Sequence, residues 1–149
     1  MIDWYKKVIF DNYANFSGRA RRSEYWYFTL INLLIVLTLC ILLIVSLGIF
    51  GNNDYGEYSL GIAGGIMVSI ISLYALITFI PRLAVTVRRL HDLGYSGWMY
   101  LIAFVPGGSI IILVFLCMDS QPFDNRWGPN PKKENNFIDE IGKQIEDKY

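Results

Sequence analysis

Three long runs along the chain carry no charged side chain: residues 26–50, 59–81 and 96–118, of 25, 23 and 23 residues. Each exceeds the roughly 18 to 20 apolar residues that mark a membrane-crossing helix. As a helix, the first run would be about 37 Å long against a hydrocarbon core of roughly 30 Å, so it should tilt or reach into the headgroups. The second carries Gly61, Gly65 and Ser69 at intervals of four, followed by Ser72. Such a small-residue stripe predicts a helix-packing face. Pro81 either ends or kinks that helix, and residues 82–92 can continue it, with Leu83, Val87 and Leu90 on one side and Arg82 and Arg89 on the other. Gly94 is the expected C-cap. The third run is interrupted by Pro106-Gly107-Gly108, which after Ser96-Gly97 leaves apolar pieces of 8 (98–105) and 10 (109–118) residues. At about 12 and 15 Å, neither piece crosses a bilayer alone. Two readings stay open for it: a kinked span, or a re-entrant hairpin that returns to the side it entered.

The segments between the runs add smaller elements. From Asp3 to Tyr13, Trp4, Tyr5, Val8, Ile9 and Tyr13 share one helical face and Lys6, Lys7 and Asp11 the other, which predicts an interfacial helix with Asp3 as N-cap. Asp119 to Pro131 is rich in Pro and Asn, so a structured turn region is expected, with Phe123 and Trp127 seeking burial. Phe137, Ile138, Ile141 and Ile145 recur at helical spacing, with Asp139 and Lys143 four apart, and predict a short amphipathic helix. The fold class expected is an all-α integral membrane protein: an interfacial N-terminal helix, two transmembrane helices and a third Pro/Gly-broken hydrophobic segment. Residues 1–131 form a single multipass membrane domain and 132–149 a polar tail.

Formal neutrality, with 13 Lys+Arg against 13 Asp+Glu, conceals an uneven distribution. Lys6, Lys7, Arg19, Arg21 and Arg22 precede the first run; the next loop has no Lys or Arg. Arg82, Arg88 and Arg89 follow the second run, and Arg126, Lys132, Lys133, Lys143 and Lys148 the third. The positive-inside rule then places the N-terminus in the cytoplasm. Three full crossings would put 8 of these cations inside and 5 outside, whereas a hairpin puts all 13 inside. Charge counting favours the hairpin. Against it stands the need of non-helical backbone at membrane depth for protein or water cover, so the side of the C-terminus stays open.

Composition also excludes. No segment outside the runs is large enough for an independent soluble core, which removes a separate cytosolic catalytic domain. Cys40 and Cys117 both lie in apolar runs, so no disulfide framework is expected, and a single histidine, His91, cannot build the usual structural zinc sites. No metal, cofactor or nucleic-acid partner is expected. Gly-rich phosphate loops and GxSxG elbows are missing. The first run begins after 25 residues and lacks a small-residue cleavage site, so it is read as a retained anchor rather than a signal peptide.

Three motifs occur in order: Gly18-Arg19-Ala20-Arg21-Arg22-Ser23-Glu24-Tyr25-Trp26, then Arg88-Arg89-Leu90-His91-Asp92 with Ser96-Gly97-Trp98, then Asn125-Arg126-Trp127-Gly128-Pro129-Asn130-Pro131. Together they resemble the bacterial family called domain of unknown function 805, from Asp3 to about Pro131. The chain departs at Trp127, where the family more often has Phe, at Asn130, where Asp is usual, and in its added tail after Lys132. The resemblance implies a small multipass protein of the bacterial inner membrane and carries no activity.

Polar clusters at the run ends supply the candidate chemistry. Arg19, Arg21 and Arg22 precede a span, where topology and attraction to an anionic leaflet account for them. Arg88 and Asp92 stand four apart, a favourable helical pair. His91 would sit at the negative end of the helix dipole. Adjacent helical residues point about 100° apart, which argues against a His91–Asp92 catalytic couple. Asn125 and Arg126 are expected to lock the tail to the loops, with Arg126 pairing Glu24 or Asp92. The function expected is a noncatalytic module that binds anionic lipid headgroups or a membrane partner protein through Arg19, Arg21, Arg22, Glu24, Arg88, Arg89, His91, Asp92, Asn125 and Arg126. No catalytic residue is assigned. One rival is a lipid-phosphate enzyme, with Arg88, Arg89 and Arg126 on the phosphate and His91 or Asp92 as acid or base. Another is a small transporter, oligomeric along Gly61, Gly65 and Ser69, although no charged side chain lies inside the runs to serve an ion pathway.

Overall fold

The computed structural model describes residues 1–51 and 56–132, the side chains of 50–60 excepted. The amphipathic repeat at Phe137–Ile145 lies outside the described residues, as do Lys133, Lys143 and Lys148. Among the described residues the chain is helical, with no strand beyond an isolated Asn125–Gly128 bridge.

Helix α1 (Ile2–Lys6) runs into a π-helical turn (Lys7–Asp11). The Asn12 amide donates to the Lys7 carbonyl at 3.1 Å and closes this wide turn. Asp3 is not the N-cap expected of it. The helix starts at Ile2, so Asp3 lies in the first turn, where its charge favours the positive helix end and no side-chain cap bond forms. Apolar side chains of this N-terminal segment pack inward: Val8, in the π-helical turn, is fully buried with Ala20, Phe28 and Val85, and Tyr5, Ile9 and Tyr25 pack around them. Tyr5 stacks on Phe28 with ring centroids 5.5 Å apart.

Helices α2 (Arg22–Gly51) and α3 (Gly56–Asp92) form an antiparallel pair. Both are long and apolar enough to cross a membrane, and only 0% and 6% of their most apolar windows are buried. That exposure is the opposite of what the core helices of a water-soluble protein show. At 37 residues α3 is about 55 Å long, well beyond a hydrocarbon core of roughly 30 Å, so its last three turns, which carry the charges, project past the apolar run.

Pro81 lies inside α3 and does not end it. Proline cannot donate to the carbonyl four residues back, Ile77, and in its place the Tyr13 hydroxyl donates to that oxygen at 2.7 Å. A second polar contact joins the two long helices: Tyr74 donates to Asn32 Oδ1 at 2.6 Å, while the Asn32 amide donates to the Phe28 carbonyl. The Gly61, Gly65 and Ser69 stripe does not serve the α2–α3 contact. A Cβ added to Gly61 or Gly65 would meet nothing within 4 Å, whereas one on Gly64 would touch Leu47 at 3.4 Å. The stripe instead lines an open groove with Ile62, Ile66 and Leu73.

The third run is a 3-10 helix (Gly97–Phe104), a turn, and helix α4 (Gly108–Cys117) packed against it. Gly107 has φ +80°. A Cβ on Gly108 would lie 1.7 Å from the Ile102 carbonyl oxygen, so the close approach of the two pieces requires glycine there. The break falls where the sequence predicts it. Both ends of this segment return to the C-terminal end of α3, since Gln121 N–H donates to the Asp92 carbonyl and Arg89 donates to the Met118 carbonyl.

Candidate functional site

The charged motifs converge at the end of α3. Gly94, at φ +84°, terminates the helix in a Schellman arrangement, with Tyr95 N–H on the Leu90 carbonyl and Gly94 N–H on that of His91. The exposed carbonyls of the last turn are then taken by other segments: Asn125 donates to His91 O at 2.8 Å, and Arg19 to Asp92 O at 3.3 Å. One turn earlier, Ala20 N–H donates to Arg88 O. The negative end of the α3 dipole is thus held by cationic and amide donors.

Arg19 organises this junction. Its side chain is 1% exposed, its Nε lies 2.9 Å from Asp92 Oδ1, and its two terminal nitrogens reach the carbonyls of Phe123, Gly128, Asp92 and Gln121. Only a planar guanidinium offers five donors in such a fork. Asp92, fully buried, also accepts from Arg89 through its other oxygen. Arg88 faces the opposite way and pairs with Glu24 of α2 at 2.8 Å, both side chains buried. Three buried arginines therefore share two carboxylates and a set of backbone carbonyls. Arg88 Nε and Nη2 and Arg89 Nε have no hydrogen-bond partner among the described residues.

Several expectations change here. The partner of Arg88 is Glu24 rather than Asp92, because successive residues on α3 diverge by about 100° and Arg88 points at α2 while Arg89 points at the tail. Arg19, Glu24, Arg88, Arg89 and Asp92 are buried and so do not form a surface. Arg126 makes no ion pair with Glu24 or Asp92; its guanidinium lies 3.9 Å from the centre of the Trp127 ring. Phe123 is 76% exposed, and its carbonyl rather than its ring is engaged. The tail is nevertheless locked onto the helix end as expected, with Trp127 stacked on His91 at 4.5 Å and 11°. Asn130 ties the turn together through Asp124, the Pro122 carbonyl and Lys132 N–H.

His91 is mostly buried, and that desolvation holds its imidazole below its usual pKa; a hydrogen bond to the Gly18 carbonyl opposes the shift and the nearby Arg126 charge adds to it. Asp119 is held below the usual carboxyl range chiefly by Lys132, a pair exposed on the surface. Around the buried cluster lies a rim of exposed cations: Arg22, Arg82 and Arg126, with half-buried Arg21 bonded through Nε to the Pro131 carbonyl. None of these four forms a close ion pair with a carboxylate among the described residues, although the Arg22 charge also helps to lower Asp119. No group of three or more His, Cys, Asp or Glu that could hold a metal occurs among the described residues.

Asn32 and Tyr74 were not singled out by their sequence context, and Tyr13 was placed only on the face of an interfacial helix. The signal available was their polarity, at an interface and inside apolar runs, where lipid supplies no hydrogen-bond partner.

Comparison with known proteins places these features in a family. Residues 13–129 match the family described as protein of unknown function (DUF805). The inner membrane protein YhaH of Escherichia coli (strain K12) is 40% identical over 134 residues, covering 89% of this chain and 99% of that protein. The inner membrane protein YhaI of the same strain is 38% identical over 137 residues, covering 91% and 100%. No solved structure matches. With most of its length matched, both long apolar helices in place and inner-membrane relatives spanned end to end, the chain belongs to the DUF805 family of membrane proteins.

Proposed function

We propose that the chain is a noncatalytic module of the bacterial inner membrane, inserted with its N-terminus in the cytoplasm, that binds anionic lipid headgroups on that face. The observation that carries this reading is the division of the arginines. Arg19, Arg88 and Arg89 are consumed inside the junction, whereas Arg22, Arg82 and Arg126 stand exposed around it without a close ion pair among the described residues. Exposed arginine without a close ion pair, next to a membrane span, suits a phosphate-bearing headgroup, which its planar fork can grip.

Three further features support the membrane arrangement. Both ends of the third apolar segment meet the same end of α3, which favours a re-entrant hairpin and puts all 13 Lys+Arg on one side. At the N-terminus, exposed Ile2 and Phe10 beside Lys6 and Lys7 suit a helix partly sunk in the interface. Finally, two of the three arginines that a phosphate-cleaving enzyme would use, Arg88 and Arg89, are already paired with Glu24 and Asp92, which supports a noncatalytic role. The open groove along Gly61, Gly65 and Ser69 supports a second copy of the chain as an additional partner, through close helix approach.

Lipid selection tests the reading. In nanodiscs of phosphatidylglycerol and phosphatidylcholine, the lipids retained by the full chain are weighed by native mass spectrometry. The triple variant Arg22→Gln/Arg82→Gln/Arg126→Gln should lose its phosphatidylglycerol preference by about fivefold per arginine, less at high salt. An unchanged preference refutes lipid binding at this rim. Cysteine labelling of both chain ends from one side should place them together in the cytoplasm; an external C-terminus refutes the hairpin.

A further inference from the structure

Between the last turns of α3 and the 3-10 helix lies a groove of about 430 Å³, within the range of small-molecule sites. Its walls are Phe16, Leu83, Val87, Trp98, Tyr100 and Leu101, apolar except for the Tyr100 hydroxyl and the Trp98 indole N–H, and no charged residue lines it. It opens along the outer surface, since Trp98 is 79% exposed and Leu101 54%. Gly97 and the polar side chains of His91 and Ser96 complete the lining.

The polarity of those two groups is defined. His91 Nδ1 lies 3.3 Å from the Gly18 carbonyl oxygen, which can only accept, so Nδ1 carries the ring proton. The neutral imidazole then presents Nε2 as an acceptor. This atom faces Gly97, where an added Cβ would stand 3.5 Å from it, and it has no partner among the described residues. Ser96 stands at the N-cap of the 3-10 helix, and its hydroxyl makes no capping hydrogen bond to it. Gly97 itself is required for the close approach, because a Cβ there would lie 2.7 Å from Val87.

We propose that this groove holds the hydroxyl end of an uncharged lipid alcohol of the diacylglycerol type, its hydroxyl donating to His91 Nε2 and accepting from Ser96 Oγ, its chain lying along Trp98 and Leu101. The chemistry selects this class. A phosphate or carboxylate would set acceptor oxygens against an acceptor nitrogen with no cation lining the site. An ammonium group could donate to Nε2 but would find no carboxylate. A peptide would bring a donor and an acceptor at nearly every residue to a groove whose lining is mostly apolar. The proposal goes beyond headgroup binding at the arginine rim and does not depend on it.

Photolabelling tests it. The full chain in phosphatidylcholine nanodiscs is exposed to a diacylglycerol carrying a diazirine in its acyl chain, and in parallel to phosphatidic acid and phosphatidylcholine carrying the same chain. Diacylglycerol should label peptides containing Phe16, Val87 or Trp98 about tenfold more than the other two, the factor expected from matching one buried hydrogen bond. Leu101→Trp, which fills the groove, and His91→Asn, which keeps a donor towards Gly18 and removes Nε2, should each lower that labelling about tenfold. Unlabelled diacylglycerol should compete in the unmodified chain, a measurement that holds even where a variant misfolds. Equal labelling by all three lipids, failure of competition, or crosslinks found only between two copies of the chain would overturn the proposal.

Discussion

Replacing Arg19 by Gln removes the one side chain that ties the tail to both Asp92 and the loop before α2. Its guanidinium is 1% exposed and makes charge-assisted contacts at 2.9 Å to Asp92, 2.9 Å to Phe123 O and 2.8 Å to Gln121 O. Breaking a buried ion pair by removing one partner costs roughly 3 to 5 kcal/mol, because the remaining charge is left uncompensated. Asp92 keeps Arg89, so the lower end applies, about 3 kcal/mol. At about 1.4 kcal/mol per factor of ten, tail opening should become roughly 100-fold more frequent. Hydrogen exchange measures this directly, at the Asn125 and Gly128 amides that bond to each other across the turn. Arg19→Lys retains the charge and loses the fork, so it should recover only part of the protection. Lys132→Ala, which breaks the exposed Lys132–Asp119 pair, should change almost nothing. A rise in tail exchange of less than about fivefold in Arg19→Gln would refute a junction centred on this residue.

Two double-variant tests probe the remaining polar contacts. Glu24→Gln leaves Arg88 buried without a carboxylate and should destabilise the helix end by about 3 to 5 kcal/mol in thermal unfolding, whereas Glu24→Leu combined with Arg88→Met should cost less than either single change. Tyr13→Phe should cost about 1 to 2 kcal/mol by orphaning the Ile77 carbonyl, and that cost should vanish in a Pro81→Ala background, where the helix regains its own donor. Additive effects of Tyr13→Phe and Pro81→Ala would show that the hydroxyl does not serve the proline gap.

The long helices, the break at Pro106-Gly107-Gly108 and the cap at Gly94 were legible because each depends on local chemistry: a charge-free run, a missing donor, a left-handed residue. Partner choice was not. Arg88 and Asp92 have favourable spacing on an isolated helix, but Glu24 is brought within 2.8 Å of Arg88 only by the packing of α2 on α3. The same holds for Tyr13 and Ile77, 64 residues apart, whose hydrogen bond could not be assigned before the fold placed the segment around the π-helical turn beside α3. Burial was misjudged for a related reason. Basic residues before a span read as surface by default, and only the returning tail converts Arg19 into an interior group.

The cost of burying three arginines makes sense when the solvent is lipid. Within hydrocarbon, apolar helices gain little by leaving lipid for one another, so the exposed faces of α2 and α3 provide weak specification of how the third segment docks. That segment is too short in either half to cross a bilayer, and its α4 piece buries few of its own side chains, Ile112 and Leu116 among them. What defines its position is at its ends: Gly94 turns the chain out of α3, and Arg89 and Arg19 draw Met118 and Gln121 back to the same place. These contacts lie at the charged end of the molecule, where water competes and the desolvation penalty is paid by pairing rather than by apolar burial. A buried ion cluster adds little net stability compared with an apolar core of the same volume. It does reject every alternative arrangement that would leave a guanidinium or a carboxylate alone, and for a short broken apolar segment that penalty supplies the specificity that hydrophobic packing cannot.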